Sequence, residues 1–350
     1  MPFFVASMRH RTYVPLLVAA ALFLGSCART APAPPPETPP AFVFRPEPPP
    51  EYRHDGIRIA TLNTEFLFDG LGDEGEASFP HKGDPEKARL HRERIARIIR
   101  LLRADVVMLE EVENDTVLYM MIEESLDDLG YRVYFVQGND RFTGQDVALL
   151  SRLPIDEVGR TDERVRVAGE RRMQGVSKNM YARLMLGGVP TTLIGLHFYA
   201  RPTDPTRKER REAQAEVIRR LAVREIEAGR AVVVLGDFND YDDVTLDLAG
   251  HRPITDVLHR IKAAGPDADD DLHNVLSDVP QIKRFTNFWD RNHDGAVERN
   301  ELSAIDHILL SPALSRRTAE VHYVHAHDPF TYTDHFPVVV TIARDDAAGR

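Results

Sequence analysis

Six stretches of this 350-residue chain place an acid, an amide or an imidazole where an aliphatic run ends or begins. Asn63 follows IRIATL, Glu110 and Glu111 follow VVML, His197 follows TLIGL, and Asp237 and Asn239 follow VVVLG. Further on, Asp306 and His307 lie within SAIDHILLS, and Asp334 and His335 directly precede FPVVVTI. A strand buried on both faces reads as a short apolar run, so the polar residue that closes it sits at a strand end, where rigid scaffolds hold reacting groups. If the strands share a sheet direction, these groups converge on one rim. Carboxylates and amides gathered there suit a hard divalent cation, and a histidine beside a carboxylate suits removal of a proton from water. Gly, Asp and Asn are also ordinary turn residues, so one such stretch alone reads equally well as a capped turn. Their recurrence is what points to a site.

The elements that must carry these residues are legible as apolar runs at Ile57–Leu62, Val106–Leu109, Tyr131–Val136, Val147–Leu150, Tyr181–Leu186, Thr192–Leu196, Val232–Leu235, Ile305–Leu310 and Val338–Ile342. Between them, Ile95, Ile98, Ile99 and Leu102 mark one helical face, and Ala213, Val217, Leu221 and Arg224 step down another. Asp204-Pro205 supplies a cap followed by proline at a helix start, and Gly229 a stop. Many strands with helices interspersed predict an α/β sandwich. No internal repeat or second linker interrupts residues 56–344, which read as one domain followed by a short tail, 345–350.

Arg9 and Arg11 precede an apolar run, Val14–Leu24, that has the length of a signal-peptide core rather than a membrane span. It closes on Leu24-Gly25-Ser26-Cys27, which resembles the lipobox of bacterial lipoproteins; the resemblance implies cleavage before Cys27 and acylation of that residue. Cys27 is the only cysteine, so internal disulfides and sulfur-rich metal sites are excluded. By the same resemblance, Ala28 in place of Asp implies an outer-membrane address. Residues 27–55 are dominated by proline and read as a tether that, at about 3.1 Å per residue, reaches roughly 85 Å. Without residues 1–26 the chain has 42 basic against 55 acidic residues, a net charge of −13, which argues against a nonspecific nucleic-acid coat. Arginines nevertheless gather in Glu163–Arg172 and Arg201–Arg211, where they could meet phosphates.

Taken in order, TLNTEF, LEEVEN, DVALLSRLPI, LIGLHF, GDFND, IDHILLS and TDHFPV resemble the endonuclease/exonuclease/phosphatase superfamily over nearly the whole mature domain. The resemblance implies an α/β, four-layer sandwich of two mixed sheets packed face to face with helices outside, and a site at one end. It implies that Glu111, helped by Asn63 and Asp334, holds Mg²⁺ or Mn²⁺, and that His335 with Asp306 takes a proton from the attacking water. Asp237 then orients that water, Asn239 donates to a phosphoryl oxygen, and His197 stabilises or protonates the leaving side. Two residues depart from the pattern. Glu110 stands where glutamine is common and would add negative charge, and Glu113 stands where deoxyribonuclease-like members place a DNA-contacting arginine.

A second constellation, DRNHDGAVERNE, sets Asp290, Asn292, Asp294, Gly295 and Glu301 at the positions of a twelve-residue calcium loop. Its flanks, RFTNFW and AIDHILLS, read as strands, so the expectation is an isolated structural Ca²⁺ loop without paired helices. The functional expectation is a metal-dependent phosphodiesterase of nuclease type acting on nucleic acid, exported and lipid-anchored, with no obligate protein partner. The alternatives are sphingomyelinase-like or phosphomonoesterase activity, or a calcium-binding envelope lipoprotein without catalysis.

Overall fold

The computed structural model describes residues 42–72, 75–265 and 267–344. The expected signal peptide (1–26), Cys27, the tether as far as residue 41, and the tail 345–350 lie outside those residues. No helix among the described residues is long and apolar enough to cross a membrane.

The first half of the chain supplies β1 (Ile57–Leu67), β2 (Val106–Val112), β3 (Arg132–Phe135), β4 (Asp146–Ser151), β5 (Glu157–Gly159), the short ribbon β6 (Val165–Arg166) with β7 (Met173–Gln174), β8 (Lys178–Leu186) and β9 (Val189–His197). The second half adds β10 (Ala231–Asp237), β11 (His273–Asn274), β12 (Asn287–Phe288), β13 (Leu302–Ser303), β14 (Asp306–Leu310), β15 (Thr318–Tyr323) and β16 (Val338–Ile342). One six-stranded sheet has the order β15-β16-β1-β2-β4-β3 and the other β11-β14-β10-β9-β8-β5. Each is mixed. Its one parallel pair, β1 with β2 or β9 with β10, is joined by a crossover helix, α1 (Pro85–Leu102) or α3 (Lys208–Glu227) respectively.

Strand alternation explains why the runs are apolar throughout. Ile59, Val106 and Met108 point between the sheets and meet Val233, Leu235 and Ile308. Their neighbours Ala60, Val107 and Leu109 point outward, under Ile95, Ile98 and Leu102 of α1 and under α2 (Asp115–Ser125). On the other side Ile194, Leu196, Val232 and Val234 lie under Ala215, Val217 and Leu221 of α3. The result is four layers, the α/β sandwich of two face-to-face mixed sheets that the sequence implies. α1 starts at Asp84, whose carboxylate accepts from the Lys87 N–H, with Pro85 in its first turn. Asp204 caps a short 3₁₀ turn, Pro205–Arg207, that runs into α3.

The tether reading needs correction beyond residue 41. Phe44 packs edge-on to Phe285 at 6.2 Å and against Phe336 at 5.5 Å, and Tyr52 lies beneath the Arg58 guanidinium at 4.4 Å. Glu47 pairs with Lys283, and its carboxylate lies 3.9 Å from Nδ1 of the buried His325. The folded unit therefore begins at Phe42 rather than near residue 56. The proline content suggested a free spacer, but Phe42, Phe44 and Tyr52 supply apolar area that a neighbouring groove can bury.

Candidate active site

Ladder register brings the polar strand ends together. At the end of β10, Asp237 lies opposite His197 of β9 on one side and Asp306 of β14 on the other. In the facing sheet Asn63 is opposite Glu110, and the ladder then skips Glu111, pairing Glu110 with Val147 and Val112 with Asp146. This bulge has a positive φ of 64° at Glu111 and turns its carboxylate out of the alternation. Glu65, Phe66 and Asn239 also have left-handed backbones, so four of the seven non-glycine residues with positive φ among the described residues cluster at this rim. Such strain persists only where the surroundings fix it, and it is common at reacting centres. Gly236, at φ +133°, lets β10 turn into the site, because a Cβ there would lie 2.1 Å from the Leu196 carbonyl oxygen.

The Asn63 amide bridges the two sheets, donating to Glu111 Oε1 at 3.2 Å and to Asp237 Oδ2 at 3.1 Å. Glu111 Oε2 accepts from Gln145 Nε2 at 2.7 Å and from the Phe66 N–H at 3.2 Å. Lys178 donates to Gln145 Oε1 at 2.9 Å and lies 3.5 Å from His197 Nδ1. With Nδ1 facing an ammonium, His197 carries its proton on Nε2, which lies 3.6 Å from Asp237 Oδ2 and 3.8 Å from Glu111 Oε1. Asp237 Oδ1 accepts the Asn239 N–H at 2.8 Å, and the Asn239 side chain donates to the Phe198 carbonyl at 3.3 Å. Across the rim, His335 Nδ1 is 2.8 Å from Asp306 Oδ2, and its Nε2 lies 3.1 Å from the Asn287 amide and 3.8 Å from Asp334 Oδ1. Thr333 ties this loop to β1 by donating to the Asn63 carbonyl at 3.0 Å.

These groups are short of positive charge. Burial, then the neighbouring Asp306, pushes the Asp237 carboxyl well above the usual carboxylate range. The carboxylates of Glu111 and Asp306 likewise raise Asp334, whose side chain is 39% exposed, against the opposing pull of His335. For His335, burial opposes the charged ring, but the carboxylates of Asp306, Asp334 and Asp237 outweigh it and raise the pKa well above its ordinary value. His197 moves the other way: burial and the Lys178 ammonium hold it neutral. Asp306 Oδ1 is buried without a protein partner, and single donor atoms of Asp237, Asp306 and His335 lie within 4.8 Å of one another. An oxygen-rich, mutually repelling donor set of this kind fits a hard divalent cation. The tight set named by geometry differs from the expected Glu111, Asn63 and Asp334, although the Asn63 amide joins Glu111 to Asp237.

Several neighbours of the site residues turn away from it. Glu110 is fully buried and donates no charge: burial, with Asp306 adding to it, pushes its pKa well above the carboxylate range, and its Oε1 accepts from Thr61 at 2.9 Å. Burial thus favours the neutral form of the group where extra negative charge was expected. Glu113 is buried too, accepting the Asp69 N–H at 2.6 Å. His307, one step along β14 from Asp306, faces the opposite way and meets the Asp240 carbonyl at 3.0 Å. Arg211, in the stretch expected to meet phosphates, is wholly buried and bonded to Asp240 Oδ2 at 3.1 Å, while Glu163 pairs with Arg220 and Arg224 of α3.

The Asp290–Glu301 loop joins β12 to β13, so strands flank it as expected. Within it Asn292 Nδ2 donates to Asp294 Oδ2 at 3.1 Å, and the buried Glu301 closes the loop by accepting the Arg291 N–H at 2.8 Å. Three partners of the site went unread in the sequence. Gln145 stands one residue before the DVALLSRLPI stretch, Lys178 opens β8, and Asn287 precedes the calcium-like loop; each stands next to a stretch singled out by its type or spacing, but only the folded contacts give it a partner.

No curated protein sequence matches the chain. Among solved structures, the 3′-5′ exonuclease (NExo) from Neisseria meningitidis matches at 18% identity and a TM-score of 0.54, over 82% of this chain and 100% of that one. A structure described as 3′ phosphatase NExo from Neisseria bound to product DNA hairpin matches at 18% identity, TM-score 0.53, over 82% and 99% of the two chains. An AP endonuclease from Archaeoglobus fulgidus matches at 17% identity, TM-score 0.53, over 82% and 99%. At these identities the likeness is one of fold. The Endonuclease/Exonuclease/phosphatase family model matches residues 60–335, from β1 to His335. With that span running from the first strand to the last site histidine, the chain belongs to the endonuclease/exonuclease/phosphatase family of phosphoesterases.

Proposed function

We propose that this rim hydrolyses phosphodiesters with the help of Mg²⁺ or Mn²⁺, and that its substrate is nucleic acid. The observation that carries the reading is the His335–Asp306 pair, 2.8 Å apart, facing a cluster in which Asn63 joins Glu111 to Asp237. Glu111, helped by Asn63 and Asp334, would hold the cation, which when bound would polarise a phosphoryl oxygen and offset its developing charge. The carboxylates around His335 favour its charged ring; with a cation bound to offset them, the neutral ring would keep Nδ1–H on Asp306 while Nε2, which meets the Asn287 amide, would exchange that contact for the proton of the attacking water. Asp237 would orient that water, and Asn239 Nδ2, one of whose hydrogens goes to the Phe198 carbonyl, would give the other to a phosphoryl oxygen. His197 is neutral and offers an Nε2–H, so it stabilises oxygen charge by hydrogen bonding instead of surrendering a proton to the leaving group.

The exposed rings of Trp289 and Phe330 beside the site favour a phospholipid diester as the second reading. The sequence supports export, with cleavage before Cys27 and a lipid anchor on that residue, so that hydrolysis occurs in the cell envelope. Asp290, Asn292, Asp294 and Glu301 are proposed to take Ca²⁺. The test offers supercoiled DNA, RNA, bis-p-nitrophenyl phosphate and sphingomyelin to the purified protein in Mg²⁺, Mn²⁺ or EDTA. Nucleic-acid cleavage abolished by EDTA is expected; hydrolysis of sphingomyelin alone would move the substrate to lipid, and no hydrolysis of any of the four would remove the catalytic reading.

A further inference from the structure

The segment from Phe42 to Arg53 precedes both sheets and lies along the fold as a strap. Phe42, Phe44, Glu47, Pro50 and Tyr52 turn toward the protein, while Val43, Arg45, Pro46 and Glu51 between them face solvent. It runs antiparallel to β15 and the residues just after it. The Glu47 N–H donates to the His325 carbonyl at 2.6 Å, Tyr52 meets the His322 ring edge-on at 5.1 Å, and the Arg53 N–H reaches Glu320 Oε2 at 3.3 Å. Pro46, Pro48, Pro49 and Pro50 keep the segment extended before it docks, which lowers the entropy lost on docking.

The Phe44 ring rests on Phe336 at 5.5 Å and on the edge of Phe285 at 6.2 Å. Both rings adjoin residues that hold the His335–Asp306 pair. Phe336 follows His335, and its N–H donates to the Thr286 carbonyl at 2.6 Å. Thr286 follows Phe285, and its hydroxyl accepts the N–H groups of Ile305 at 3.1 Å and Asp306 at 3.0 Å. One threonine thus ties together the backbones that carry the two members of the pair. Asn287, next in the chain, meets His335 Nε2 at 3.1 Å. His325, whose carbonyl binds the strap, stacks on Phe285 at 3.6 Å and lies edge-on to Phe336 at 5.2 Å.

We propose that Phe44 is a positioning residue for hydrolysis: seated by the strap against Phe285 and Phe336, it fixes the contact between His335 and Asp306. The inference rests on the catalytic reading of that pair and adds that a segment outside the two sheets completes the site. Phe285 and Phe336 are 4% and 0% exposed. Without the Phe44 ring each loses packing on one side, and both shift to recover contacts. A shift of about 1 Å so close to the pair reaches the imidazole–carboxylate contact, and misplacement of that size can cost about 10²-fold in rate.

The test is a double-mutant cycle in the whole chain, with bis-p-nitrophenyl phosphate as substrate in Mg²⁺. Phe44→Ala is expected to lower kcat about 5- to 50-fold with KM changed by less than about twofold, and Phe44→Leu to recover most of the loss. In the His335→Ala background the same change is expected to cost less than about twofold, because the pair it positions is already gone. Val43→Ala, on the solvent side at 67% exposure, is expected to leave both constants unchanged. Hydrogen–deuterium exchange of residues 283–288 and 333–338 gives a readout independent of turnover, expected to be faster in Phe44→Ala and unchanged in Val43→Ala. Unchanged kcat in Phe44→Ala would overturn the proposal, and so would a kcat loss of equal size in both backgrounds, which marks a general loss of stability. If the wild type hydrolyses nothing, the proposed function falls and exchange decides alone: faster exchange in Phe44→Ala supports the hold of the strap on the pair, and unchanged exchange overturns it.

Discussion

Glu110 and Glu111 are adjacent in sequence and opposite in duty. The first points between the sheets, is pushed toward its neutral form by burial and accepts from Thr61; the second leaves the alternation at a bulge and faces Asn63, Gln145 and His197. Because Glu110 acts as a neutral hydrogen-bonding group, Glu110→Gln should change unfolding free energy by less than about 1 kcal/mol and keep phosphoesterase activity. Glu110→Ala, which opens a cavity and leaves the Thr61 hydroxyl unpaired, should cost about 2–4 kcal/mol. Urea unfolding of both variants, with activity alongside, checks this; a severe activity loss in Glu110→Gln would show that the carboxylate charge matters after all. The sequence made Asn63, Glu111, His197, Asp237, Asn239, Asp306, Asp334 and His335 visible because each closes or opens an apolar run. It hid Gln145, Lys178 and Asn287, whose partners come from other strands, and it suggested a charge at Glu110 that only burial removes.

At the scale of elements, strands buried on both faces were legible: each of the nine apolar runs overlaps a strand of the two sheets, with only Tyr131, Val136 and Ile305 falling just outside. β15, with its partly exposed TAEVHY, was not, because only its pairing with β16 makes it a strand. The docking of Phe42–Asp55 was hidden for a like reason, since proline-rich composition says nothing of a groove elsewhere that accepts Phe44. Gly236 joins element to site. Its φ of +133° and the 2.1 Å approach of a Cβ to the Leu196 carbonyl mean that any side chain must push β10 from β9. Gly236→Ala should therefore destabilise the fold by about 1–3 kcal/mol or more and misplace Asp237, lowering activity even where the protein remains folded. Wild-type stability in this variant, read by chemical denaturation, would contradict the packing described here.

The whole molecule gathers its buried histidines around the site's supporting shell. His91 holds the Thr64 carbonyl at 2.7 Å and His327 the Thr333 carbonyl at 3.2 Å, and burial lowers both pKa values to about 4. A histidine whose folded pKa lies below its unfolded value of about 6.5 binds fewer protons in the native state between those limits. Stability from these residues is thus complete above about pH 6.5 and is lost as pH falls toward 4, by up to about 1.4 kcal/mol per pH unit for each ring. Relative to His327→Asn, the wild type should lose about 3 kcal/mol between pH 7 and pH 4 in urea unfolding. A difference that does not vary with pH would mean that the ring is not buried neutral.

The central claim is that the four-layer fold brings these residues together as a metal-dependent phosphodiesterase, and its most direct test is a time course of single-stranded oligonucleotide cleavage in Mg²⁺ by the wild type and His335→Ala. The structure predicts cleavage by the wild type that stops on adding EDTA and a rate about 10²- to 10⁴-fold lower in the variant. Equal rates in the two proteins, or cleavage indifferent to EDTA, would contradict it.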